Sequence, residues 1–115
     1  IGGKRSIGRG QFVPHKATVS LSLPEHPNRY TSLALYYPAA EERLSQDDSY
    51  ALIERGGWIA SNVPTSIKRK RVNMLAEGSV FRHCPRGMLV DVTPGGYPHP
   101  VYRSGCAFPL PVVVA

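Results

Sequence analysis

Eleven prolines and eleven glycines punctuate these 115 residues, and that punctuation limits what the chain can build. Proline fixes φ and lacks an N–H donor, while glycine ends helices and permits turns. The fold must therefore consist of short elements joined by many turns. Hydrophobic residues at 42% and aromatics at 9% still give the composition of a folding sequence. The length suits one domain with a modest core.

Reading between the breaks gives the expected elements. Residues 11–13 form a short strand stopped by Pro14. Residues 18–23 (TVSLSL) alternate with a period of two, which predicts a half-buried strand. Residues 30–37 (YTSLALYY) form the clearest strand, with Leu33 and Leu35 on one face and Ala34 and Tyr36 on the other. Residues 39–44 make a turn or two of helix, with Glu41 and Glu42 near its start. Residues 45–56 form the principal helix. Ser45 or Asp47 caps it, Tyr50, Leu52 and Ile53 face the core, and Gly56 stops it. Residues 57–61 read as a strand, and Trp58 is placed in the core ahead of the alternative of a stacking platform. Residues 72–75 are a strand, followed by 77–81. A buried strand covers 88–92, and 101–103 and 106–114 close the fold. Pro109 and Pro111 mark the last strand as an edge or a bulge. The expected class is α+β: a mainly antiparallel sheet with one principal helix, nearest to a ferredoxin-like topology.

The net charge of +6 and pI near 9.7 favour a polyanionic partner, nucleic acid before a membrane surface. Two clusters carry this charge. The first lies in IGGKRSIGRGQF, where Gly2, Gly3, Gly8 and Gly10 interleave with Lys4, Arg5, Ser6 and Arg9. Bare backbone N–H groups with cations beside them suit a phosphate, and Phe12 offers a stacking face. A flexible, solvated terminus is the equally open alternative. The loop has neither the Walker A spacing nor a preceding strand for a dinucleotide fingerprint. The second cluster is Lys68, Arg69, Lys70 and Arg71. If extended, it sends Lys68 and Lys70 one way and Arg69 and Arg71 the other. Phosphate-backbone contact is weighed there against a solvated loop.

Other chemistry is thin. His15, His26, His83 and His99 have no metal-ligand spacing, and neither metal nor cofactor is expected. Cys84 and Cys106 could pair, but nothing requires it; they lack a CxxC spacing and read as reduced thiols of a cytoplasmic protein. No apolar run reaches a membrane span, so no membrane partner is expected. The chain starts in mid-motif without methionine, as a piece of a longer polypeptide would.

Taken together and in order, IGGKRSIGRGQF, SLALYYP, SYALIERGGWIAS, MLAEGSVF and HPVYRSGCAF resemble one family. They look like the C-terminal half of the CRISPR-associated RAMP protein that forms the fourth subunit of the type III-A Csm effector complex. The resemblance implies a ferredoxin-like (RRM-like) RAMP module. It implies a non-catalytic subunit that binds the crRNA 5′ handle and links the large polymerase/nuclease subunit to the backbone RAMP subunits in antiviral defence. By matching position, the RNA contacts of the glycine-rich loop fall on Gly2, Gly3, Lys4, Arg5, Ser6, Gly8, Arg9 and Gly10. Residues 1–17 would be that loop and the last strand of a missing N-terminal module, and residues 18–115 the C-terminal module. Two other classes stay in view. One is a RAMP endoribonuclease that processes crRNA precursor, with His15 or His83 as general base. The other is a protein–protein module whose basic patches meet acidic surfaces.

Overall fold

The computed structural model describes residues 7, 8, 10–59 and 66–115. These hold seven short strands: β1 (Arg29–Ser32), β2 (Leu52–Arg55), β3 (Val72–Leu75), β4 (Val80–Phe81), β5 (Leu89–Asp91), β6 (Tyr102–Ser104) and β7 (Pro109–Val112). All pairings are antiparallel, and they form a β4-β1-β7 sheet and two hairpins, β2-β3 and β5-β6. The brevity follows from the punctuation. The edge expectation for the last strand holds: β7 flanks β1, with Pro109 opposite Ser32 and Pro111 opposite Tyr30.

Residues 36 and 37 join the three sheets. Tyr36 and Leu75 exchange backbone hydrogen bonds of 3.0 and 2.8 Å. One residue on, Tyr37 N–H donates to Gly105 O, and Met88 N–H donates to Tyr37 O. The core cluster gathers at this junction from Tyr36, Leu75 and Phe81, and Met74 and Val92 are buried as well. The Tyr36 and Phe81 rings meet edge to face, with centroids 5.2 Å apart. β1 stops at Ser32 rather than running to residue 37. There the buried Ser32 hydroxyl accepts from Ala34 N–H and Phe108 N–H and donates to Ala34 O, which turns the chain. Leu33, expected on a strand face, stands exposed.

The α+β expectation with one principal helix is overturned, because the described residues contain no α-helix. The start signals at Ser45 are present but close a single turn. Asp48 N–H donates to Ser45 O, Ser45 N–H to Asp48 Oδ2, and Asp47 N–H to Ser45 Oγ. Tertiary pairing then claims the chain. Asp48 Oδ1 accepts Arg82 N–H, Ser49 bridges to Val80, and residues 52–55 pair with β3. Their exposure alternates with the strand period. Residues 39–44 likewise form one turn, closed by Glu42 N–H to Ala39 O.

Four further expectations fail. Residues 11–13 and 18–23 are not strands: Phe12, Val13, Val19, Leu21 and Leu23 are 53–77% exposed. A strand needs a neighbour for its N–H and C=O groups, and the described residues supply none. The 88–92 strand is not buried, since Leu89 and Asp91 face solvent and only Val92 is enclosed. Trp58 is 55% exposed and is no core residue.

Candidate nucleic-acid interface

The Lys68–Arg71 run lies on a β-bulge. Arg55 pairs with Val72, and Trp58 bridges to Lys68, so Gly56 and Gly57 face three residues, 69 to 71. A bulge re-aims side chains and leaves backbone groups for other partners. Here Lys70 N–H leaves the hairpin and donates to Val92 O, at the end of β5. This tie draws the β5-β6 hairpin alongside, and with it Arg103 of β6.

Three guanidinium side chains close around the two glycines. Arg69 donates through Nε and Nη2 to Trp58 O, at 3.2 and 3.0 Å. Arg103 Nη2 donates to Gly56 O at 2.7 Å. A Cβ at position 57 would lie 3.7 Å from Arg69 Nη2 and 3.9 Å from Arg103 Nη2. Gly57 has φ of +140°, so a side chain there would be strained even though the space accommodates a Cβ. Arg71 packs its Cγ 3.4 Å from the Cβ position of Gly56 and pairs with Glu54 at 2.8 Å. The Lys68 amine sits 5.0 Å from the Trp58 ring centroid, a cation–π contact.

The cleft so formed has a volume of about 310 Å³, lined by Glu54, Gly56, Gly57, Trp58, Lys68, Arg69 and Arg71. Its electrostatics are one-sided. Among the described residues, Arg55, Lys68, Arg69 and Arg103 form no ion pair with a carboxylate. Burial, and then the like charges of Arg69 and Arg55, pull the Arg103 pKa below the usual guanidinium value. Arg103 Nε is buried with no hydrogen-bond partner. Lys70 sits apart, where its charge helps lower the pKa of Asp91 after the larger effect of Thr93 hydrogen bonds.

A second cleft, of about 530 Å³, shows the contrasting case. It contains His83, the general-base candidate, with Nε2 3.5 Å from the Tyr36 hydroxyl and 3.9 Å from Glu42 Oε1. Two of its three arginines are matched: Arg82 pairs with Asp47, and Arg86 with Glu41. Glu42 is a structural anchor. Burial raises its pKa, but hydrogen bonds from the N–H groups of Ala39, Arg86 and Gly87, and from the Tyr36 hydroxyl, outweigh this and bring it down to about 2. His15 lies in the exposed 11–23 segment, away from this cleft. No group of His, Cys, Asp and Glu among the described residues has the geometry to hold a metal ion. Cys84 and Cys106 are free, exposed thiols.

The structure thus gathers Lys68, Arg69 and Arg71 in one cleft and leaves Lys70 beside it. Gly8 and Gly10 take φ of +77° and +82°, the left-handed region that favours glycine. Gly2, Gly3, Lys4, Arg5, Ser6 and Arg9 lie outside the described residues. Trp58 lines the basic cleft, and Arg55 and Arg103 add charge beside it, though composition and motif spacing did not single out the two arginines. A usable signal was present: Arg55 follows Ile53 and Arg103 follows Val101 at the inward, half-buried positions of their strands. Ser79, in the EGSVF segment, is buried and donates to Ala76 O, a structural role.

An antiparallel β-module with a cation-rich, tryptophan-bearing cleft has the chemistry to meet a polyanion. The family model for the CRISPR Csm4 C-terminal domain matches residues 25–112, so the chain belongs to that family. It is 32% identical over 122 aligned residues to the CRISPR system Cms protein Csm4 of Streptococcus thermophilus, an alignment covering 97% of this chain and 41% of that protein. It is 29% identical over 108 residues to the protein of the same name from Mycobacterium tuberculosis (strain CDC 1551 / Oshkosh), covering 89% of this chain and 35% of the relative. The chain therefore spans about two fifths of the length of these relatives. No helix among the described residues is long and apolar enough to cross a membrane.

Proposed function

We propose that this chain is a non-catalytic, RNA-contacting module of a type III-A CRISPR Csm effector complex. In this reading it acts in the cytoplasm, in antiviral defence. It contacts the crRNA 5′ handle and helps join the large subunit to the backbone RAMP subunits. Residues 1–17 belong with a preceding module, and Gly2, Gly3, Lys4, Arg5, Ser6, Gly8, Arg9 and Gly10 contact RNA backbone there. Lys68, Arg69, Lys70 and Arg71 supply a second contact. The observation that carries the reading is the cleft at the bulge, where cations without carboxylate partners converge in a member of the Csm4 C-terminal family. A cluster of like charges held this close is favourable only beside an anion, and RNA phosphates supply one.

The test is fluorescence anisotropy of labelled repeat-derived handle RNA titrated with the full chain at several salt concentrations. Affinity should fall steeply with salt, and each phosphate-contacting cation removed should lower the log–log slope by about 1. A Lys4→Ala/Arg5→Ala/Arg9→Ala variant and a Lys68→Ala/Arg69→Ala variant should each show this loss. No binding at low salt would refute the reading. Cleavage of repeat RNA by the chain would refute its non-catalytic part.

A further inference from the structure

The basic cleft offers more than diffuse charge. Arg69 and Arg103 are held in place before any ligand arrives, because each is moored to a main-chain carbonyl, of Trp58 and of Gly56. Both come within 4 Å of one point, the missing Cβ of Gly57. Two fixed guanidiniums converging on one point make a preorganised seat for a tetrahedral dianion or a phosphodiester, since planar forks match phosphate oxygens. Mooring also removes part of the ordering cost of binding. No acceptor among the described residues reaches Nη1 of either arginine, so both retain donors for a ligand.

Beside this seat stands a large aromatic that the fold has not buried. Trp58 keeps 55% of its surface in solvent, even with the Lys68 amine over its ring. A base stacks on such a ring whatever its identity, but only if it is unpaired. Arg69 and Trp58 line one cleft, Arg103 reaches the Gly56–Gly57 wall of that cleft from β6, and the two features adjoin in sequence at Gly57 and Trp58. We propose that Arg69 and Arg103 seat one backbone phosphate while Trp58 stacks the adjoining base, so that the cleft takes single-stranded RNA in preference to duplex. This rests on the RNA-contacting reading above and adds which atoms hold the strand and which form of RNA they accept.

Trp58 is the sole tryptophan of the chain, so its emission reports this site directly. The full chain is titrated with a short oligouridylate, with the same length of RNA duplex and with an oligoglutamate, while labelled RNA anisotropy is followed in parallel. Single-stranded RNA should quench Trp58 emission to saturation, and duplex should quench far less. Trp58→Ala should weaken binding by roughly 5- to 150-fold, and Trp58→Phe should retain most of it. Arg69→Lys and Arg103→Lys keep the charge but lose the fork, so each should weaken binding about tenfold while circular dichroism stays unchanged. RNA binding by anisotropy with no change in Trp58 emission, and with full affinity in Trp58→Ala, would overturn the seat and leave the RNA-contacting reading standing. Equal quenching by duplex or by oligoglutamate would also overturn it. Absence of any RNA binding at low salt would overturn both.

Discussion

A methyl group at Gly87 would come within 2.0 Å of the carbonyl oxygen of Gly105, and one at Gly105 within 2.5 Å of Tyr37 Cβ. The two bare backbones let the 86–88 segment lie on 105–107, where Gly105 N–H donates to Met88 O and Ala107 N–H to Arg86 O. Gly87 also has φ of +77°. Gly87→Ala and Gly105→Ala are each expected to destabilise the chain by on the order of 3 kcal/mol, through overpacking and, at position 87, backbone strain. Gly95, with nothing within 4 Å of its Cβ position, is the control, and Gly95→Ala should shift stability by less than about 0.5 kcal/mol. Urea denaturation of the three variants checks the contrast.

Acid should act on the turn over residues 39–44, which Glu42 holds together. The folded pKa of Glu42, about 2, lies below its ordinary value of 4.5. A carboxylate depressed in the folded state contributes stability that is fully present above the unfolded pKa and is lost as pH falls through the folded one. Stability should therefore be level in Glu42 above about pH 5 and decline between about pH 4.5 and 2. Glu42→Gln should lower the denaturation midpoint at neutral pH and remove part of that acid slope. The difference between parent and variant isolates Glu42 from Asp91, whose pKa is also lowered.

The core is small, so its central ring should dominate. Phe81 is fully buried against Tyr36, whereas Phe108 is 64% exposed. Phe81→Ala is expected to cost roughly 3–5 kcal/mol, by lost burial and a residual cavity. Phe108→Ala should cost well under half of that. Thermal unfolding of the two variants, compared with the parent, measures the difference.

How much of the fold and the cleft was legible in the residues depends on which force decided each element. Residues 72–75 were read with their correct bounds, because their apolar, β-forming character agrees with their tertiary partners. The prolines of β7 placed it at an edge because a missing N–H donor leaves few alternatives. Residues 45–56 misled, since Ser45, Asp47 and Asp48 make the same local contacts in a single turn as in a helix cap. The path of residues 49–55 is then set by Arg82, Val80 and β3, which are distant in sequence. The basic cleft was half visible. The Lys68–Arg71 run announces charge, but the extra residue that makes a bulge depends on its register with Gly56 and Gly57. That register also brings in Arg103, from a different hairpin.

The same register yields a prediction that distinguishes the four cations of the run. Arg71 is engaged by Glu54 at 2.8 Å, whereas Lys68 and Arg69 meet no carboxylate among the described residues. An exposed pair of this kind contributes only about 0–1 kcal/mol to stability, so breaking it should leave the fold intact. Its effect on a polyanion is larger, because Glu54 lines the cleft and cancels one positive charge. Lys68→Ala should lower the salt slope of RNA binding by about 1, and Arg71→Ala by less. Glu54→Gln should do the reverse: it removes a negative charge from the cleft and frees Arg71, so affinity should rise several-fold and the slope steepen. Anisotropy titrations across salt concentrations, with the thermal midpoint of each variant measured alongside, check all three. A Glu54→Gln variant that bound RNA no tighter than the parent, at an unchanged midpoint, would place the phosphate path away from Arg71.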